Sequence, residues 1–87
     1  MINFENFILG EDGIEVQSID EALSLIEICI DNNIDCSFIT PSDYEDEPYW
    51  YVKDRTLNIT KYYSDMADCV CSTWTYSDFV EEHEYME

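Results

Sequence analysis

The residues of this chain best able to do chemistry are carboxylates, and the densest group is Asp43, Glu45, Asp46 and Glu47, set between Pro41 and Pro48. Two prolines around a polar, aperiodic stretch read as an exposed loop. Asp43, Glu45 and Glu47 have the alternate spacing of a calcium loop. Such a loop also needs glycine at its sixth position and glutamate at its twelfth, and counted from Asp43 these are Pro48 and Asp54. The pattern fails there, and it fails again over Gly10 to Glu15. Three readings stand for the loop: a solvated acidic surface, carboxylates standing in for phosphates with Tyr44, Tyr49 and Trp50 adding apolar contact area, or a divalent-ion site.

Catalytic groups are scarce. His83 is the one histidine; it falls on the apolar face of a predicted terminal helix, with no Ser or Cys placed beside it, and reads as a packing residue rather than a general base. Carboxylates are so numerous that any fold would pair some of them, so pairing alone says nothing of acid–base work. Two glycines cannot build a glycine-rich phosphate loop. We therefore expect no enzyme, no cofactor and no metal. Cys29, Cys36, Cys69 and Cys71 lack the paired C-x-x-C spacing of a zinc site. Without a basic, apolar and small-residue leader, they are expected to be reduced and mostly buried thiols, with Cys69 and Cys71 facing one side of a strand.

The whole chain shares the loop's sign. It has 21 Asp and Glu against three Lys and Arg, for a net charge of -18 over 87 residues. Self-repulsion of that size usually accompanies disorder. Here hydrophobic residues make up 46% and aromatics 15%, enough apolar surface for one globular domain, 1–87, and too short a chain for a second core. Halophilic proteins share such acidity, but the aromatic and isoleucine content with few glycines points away from that origin. A compact chain of this length has a radius of gyration of roughly 12 Å and so a diameter of about 30 Å, and B-DNA carries about 18 to 20 phosphate charges over about 30 to 34 Å, one turn. No run approaches the ~18 apolar residues of a membrane span, so a cytoplasmic location is expected.

These residues need elements to position them. Ile19, Ala22, Leu23, Ile26, Cys29 and Ile30 mark one face of a helix over 19–32, with Ser18 and Glu21 as its capping box. A strand is expected near Ile14 to Val16 and another over Cys36 to Thr40, ended by Pro41. Tyr49 to Val52 and Thr56 to Tyr62 make a hairpin turning at Asp54 and Arg55. Cys69 to Tyr76 is strand-like. Tyr76, Phe79, Val80, His83 and Met86 recur at helical spacing, capped by Thr75 or Ser77, with Glu81, Glu82, Glu84 and Glu87 on the other face. The expectation is an α+β domain of order β-α-β-β-β-α, a mixed or antiparallel sheet of three to four strands with two helices.

All three cations, Lys53, Arg55 and Lys61, fall on the hairpin. They are expected to pair with nearby carboxylates, or else to mark a face left out of binding. A domain this negative is repelled by nucleic acid and by anionic membranes, so its partners should be basic. In size, charge and aromatic content the chain resembles the small acidic inhibitors of phages and mobile elements, the anti-CRISPR and anti-restriction proteins that mimic nucleic acid. That resemblance implies a stoichiometric inhibitor, monomeric or homodimeric, that blocks the DNA-binding surface of a basic host nuclease complex in the host cytoplasm. The residues expected at its interface are Asp43, Tyr44, Glu45, Asp46, Glu47, Tyr49, Trp50, Glu81, Glu82, Glu84 and Tyr85. The alternatives are an immunity protein against a basic nuclease toxin and a calcium-binding or structural acidic domain.

Overall fold

Ile14 lies between two tryptophans, opposite Trp50 on one neighbouring strand and Trp74 on the other, and this row organises the molecule. The computed structural model describes residues 2–84. Its four strands are β1 (Asp12–Glu15), β2 (Tyr49–Lys53), β3 (Thr56–Thr60) and β4 (Ser72–Thr75), in the sheet order β3-β2-β1-β4. β1 pairs antiparallel with β2 and parallel with β4, and β2 and β3 form the hairpin. The helices are α1 (Glu5–Ile8), α2 (Ile19–Asp31), α3 (Tyr63–Ala67) and α4 (Tyr76–His83), with a 3-10 helix over Pro41–Glu45. The expected α+β class and the β-α-β-β-β-α order of the main elements both hold, with α1 and α3 as short additions. No helix among the described residues is long and apolar enough to cross a membrane.

Side chains alternate between the two faces of a strand. The register therefore puts Ile14, Trp50, Val52, Leu57, Ile59 and Trp74 on one face. Ala22, Leu25 and Cys29 of α2, with Phe7 and Phe79, close the core over that face. On the other face α3 lies across β1, where Met66 packs on Gly13 so closely that a Cβ there would stand 2.5 Å from its Sδ. Tyr63 meets Tyr49 edge-on at 5.8 Å and its hydroxyl lies 2.7 Å from that of Thr73. The chain reaches β1 through Gly10, whose φ of 81° and whose missing Cβ, 2.5 Å from the Val52 carbonyl, both require glycine.

Local sequence explains the helix ends. The Ser18 hydroxyl accepts from the Glu21 N–H at 3.3 Å, while the Glu21 carboxylate reaches one residue further back than a standard box, to the Gln17 N–H at 2.9 Å. The Thr75 hydroxyl accepts from the Asp78 N–H at 3.2 Å and starts α4. Asn33, at φ 59°, ends the turn after α2.

Two expected strands change. Cys36 to Thr40 is not a strand: one bridge, Asp35 to Thr56, is all that pairs there. The Asp35 carboxylate instead accepts from the Ser37 N–H at 3.0 Å and the Ser37 hydroxyl at 2.7 Å, and those bonds hold its carboxyl below the ordinary value. Asp43 takes the Thr40 N–H at 3.0 Å. Such side-chain bonds compete with a sheet ladder for the same backbone. Cys69 and Cys71 precede β4 rather than opening it, because the Cys71 and Ser72 N–H groups both turn to the Glu11 carbonyl, at 2.7 and 3.1 Å.

The hairpin turns at Asp54 and Arg55 as expected, with φ of 53° and 59°. Two positive φ values are the mark of a type I′ turn, which favours Asn-Gly. The double variant Asp54→Asn/Arg55→Gly leaves net charge unchanged, since one charge of each sign is lost. It is expected to raise the unfolding free energy in urea by about 1 kcal/mol. An unchanged or lowered value counts against this turn type.

Candidate partner-binding surface

The acidic segment between the prolines is pinned rather than loose. Pro41 starts the 3-10 helix and Asp43 turns its carboxylate back to the Thr40 N–H. Glu45 and Asp46 are exposed, and Glu47 is half-buried. The Glu47 carbonyl accepts from the Trp50 indole N–H at 2.8 Å, and the Pro48 carbonyl accepts from the Val16 N–H at 2.7 Å. The segment thus meets the end of the two central strands at fixed points, and Glu45 and Asp46 stand exposed on it.

Trp50 is buried, where the sequence reading expects an anchor open to a partner. It is 0% exposed, because alternation along Tyr49-Trp50-Tyr51-Val52 turns the second and fourth residues into the core. Tyr44 is half-buried and packs against that core, so it offers only part of its ring. Tyr49 is half-buried on the opposite face, against Tyr63.

The second acidic group lies elsewhere. Glu81, Glu82 and Glu84 are exposed. Tyr85 lies outside the described residues. Parallel pairing sets Glu15 opposite Thr75, and antiparallel pairing sets Glu15 opposite Tyr49. The Pro41 to Pro48 segment and the start of α4 therefore share one end of the sheet. α4 then runs back along it: the His83 Nε2 lies 3.4 Å from the Asp12 carboxylate at the far end of β1, and Glu84 bridges to Ile2. The two expected acidic groups are not one patch, and the length of α4 separates them, about 12 Å for its eight residues.

Sequence reasoning missed a recess at this end of the sheet. Glu15 and Asp78 line a recess of about 250 Å³ with Tyr49 and Tyr63, at the same end of the sheet as the acidic segment. No local pattern reveals this, since it depends on the parallel pairing of β1 with β4.

His83 has a structural place. Its ring stacks on Phe79 at 4.0 Å, meets Trp74 edge-on at 5.3 Å, and sets Nδ1 2.9 Å from the Phe79 carbonyl. Among the described residues Asp12, 5% exposed, is the one buried carboxylate, and the His83 Nε2 stands beside it. A second recess, about 400 Å³ between α1 and the end of α2, has Phe4, Ile8, Leu9 and Ile28 along its walls and no His, Ser or Cys. Among the described residues no three potential metal ligands converge.

The expected pairing of the cations is not seen. Among the described residues the His83–Asp12 contact is the only one within 4.0 Å; Lys53 and Arg55 stand exposed at the hairpin tip, and Lys61 lies 5.5 Å from the Tyr62 ring centre at the other end of β3. No cation among the described residues offsets Glu45, Asp46, Glu81 or Glu82 by direct contact. Their negative field is left to solvent and salt.

The four cysteines are free thiols, but Cys69 and Cys71 are exposed, which corrects the expectation that most are buried. Burial pushes the Cys29 thiol up from 9.0 to about 12, and burial also raises Cys36. With a thiol reagent at pH 8, Cys69 and Cys71 are expected to react quickly, Cys36 slowly and Cys29 only on unfolding. Because Cys29 holds its proton more tightly folded than unfolded, its contribution to stability is complete below pH 9 and declines as pH rises toward 12. Labelling of Cys29 at the rate of Cys69 contradicts this placement.

No family model, curated protein or solved structure matches the chain.

Proposed function

We propose that this protein is a stoichiometric inhibitor that occupies the nucleic-acid-binding surface of a basic protein, a nuclease complex of host defence, by presenting carboxylates where phosphates would bind. The observation that carries the reading is a net charge of -18 on a folded body of 35 × 25 × 24 Å. B-DNA places one charge per ~1.7 Å of axis, so a length equal to the long axis holds about 20. Size and charge therefore match one turn of duplex together.

The distribution of acids adds support. Glu45 and Asp46 sit at one end of the sheet, the end where Glu15 and Asp78 line the recess, and Glu81, Glu82 and Glu84 run toward the other. A basic channel evolved for a charged backbone meets carboxylates along its length rather than at one point. Complementary fields speed such an encounter and make it fall with salt. Tyr49 and Tyr63, partly open beside Glu15, supply apolar area at the first end.

Electrophoretic competition at low salt tests the reading. The protein should release labelled duplex from a basic nuclease, repressor or surveillance complex at near-equimolar ratio, without itself shifting the duplex. Failure to release duplex from any such protein ends the proposal.

A further inference from the structure

Among the described residues the fold leaves most of one apolar ridge of α2 open. Ile19, Leu23, Ile26 and Ile30 are spaced four, three and four, which draws a single seam along a helix as in a coiled coil. The core takes only the half-buried Ile26 from that seam. It uses Ala22, Leu25 and Cys29, which are fully buried, whereas Ile19 is 43% exposed, Leu23 48% and Ile30 62%. At the end of the seam the chain returns beside α2, with the Cys36 thiol 4.0 Å from the Ile26 carbonyl, and the following turn carries Phe38 at 88% exposure. Four large apolar side chains in the open, three of them on one ridge, mark an interaction surface.

The charges beside the seam say what covers it. Asp20, Glu27 and Asp31 each follow a seam residue by one position, about 100° further round the helix on the same flank. Asp20 and Glu27 are seven residues apart, where the flanking charges of a heptad pair stand. The other flank is Ala22 and Cys29, committed to the protein's own core. No basic residue occupies the last turn of α2, so the negative end of its dipole adds to the same field. A second copy of this chain would bring its own -18, and antiparallel pairing would set Asp20 and Glu27 against themselves. The complementary occupant is a helix with an apolar seam and lysines or arginines along one flank.

We propose that this ridge docks a cationic amphipathic helix of the inhibited protein. This rests on the reading above that the partner is basic, and it adds a second point of engagement, helix to helix, beside the carboxylates that face the nucleic-acid surface.

The probe is a 21-residue peptide with Leu at both seam positions of each heptad and Lys at both flanking positions, measured by fluorescence anisotropy in 150 mM salt. Two controls accompany it, a shuffled peptide of the same composition and one with Glu in place of every Lys. The Lys-flanked peptide should bind at least tenfold more tightly than the shuffled one, and Leu23→Lys/Ile30→Lys should remove that advantage. A second variant, Asp20→Lys/Glu27→Lys, keeps the ridge and should transfer the preference to the Glu-flanked peptide. Equal binding of heptad and shuffled peptides, or a preference unmoved by the charge swap, overturns the proposal. So does a dimer in sedimentation that Leu23→Lys/Ile30→Lys dissolves, since the occupant is then a second copy. The peptide assay contains no nucleic acid, so loss of the peptide with duplex release intact rejects this docking surface alone, and the converse rejects the mimicry alone.

Discussion

Trp50→Ala lowers the unfolding free energy by about 4 kcal/mol, enough to leave the variant largely unfolded at 25 °C. The ring is 0% exposed and stands opposite Ile14 on β1 and Ile59 on β3, so truncation opens a cavity in the middle of the sheet's core face. It also removes the indole bond to the Glu47 carbonyl at 2.8 Å, which ties the acidic segment to β2. A small domain with this much unscreened charge has little stability to spare. Trp50→Phe keeps most of the ring and loses the bond, and should cost about 1 to 2 kcal/mol. Tyr49→Ala, one residue away on the half-exposed face, should cost less than Trp50→Ala. Urea unfolding followed by far-UV circular dichroism measures all three. A folded Trp50→Ala with only its binding impaired would make Trp50 the surface anchor that its sequence context suggested.

That contrast shows how far local pattern carries. Ser18 and Glu21 cap α2, Thr75 caps α4, and Asp54 with Arg55 turns the hairpin, all as their residue types indicate, because each involves groups within four residues of one another. The fold class followed from the same local signals. What local pattern does not carry is which side of an element faces the core. The apolar positions of α2 cover more of its circumference than the core can take. Only packing selects Ala22, Leu25 and Cys29, and so Leu23 and Ile30 remain outside.

The same limit applied to the site. Exposed Glu45, Asp46, Glu81, Glu82 and Glu84 were legible as acids in polar segments. Trp50 was misplaced because an aromatic-rich run offers its alternating residues to two faces, and the sequence alone does not name the buried one. The long-range links, β1 with β4 and His83 with Asp12, join residues some 60 to 70 positions apart. They decide that the two acidic groups lie along the molecule rather than together, and they leave no trace in spacing.

The central claim is that the charge is functional and is held at a cost to stability. Amide substitution at five exposed positions, Glu45→Gln, Asp46→Asn, Glu81→Gln, Glu82→Gln and Glu84→Gln, takes the net charge from -18 to -13. Asp43 stays, because its carboxylate holds the Thr40 N–H. Glu and Gln have similar helix propensities, so α4 is little altered by the exchange itself. Less self-repulsion should raise Tm in dilute buffer, and the gain on adding salt should shrink, because added salt then has less to screen. Binding should move the other way, with at least a tenfold loss at low salt, on the order of 1.4 kcal/mol or more.

The most direct measurement is duplex release from a basic nuclease complex that responds in the competition assay. Labelled duplex is followed by fluorescence anisotropy as wild type or the five-amide variant is added, at 50 and 200 mM salt. The account predicts that the variant, though more stable, releases duplex at least tenfold less effectively at 50 mM, and that wild-type release weakens steeply at 200 mM. Equal release by both proteins, unchanged by salt, would contradict it.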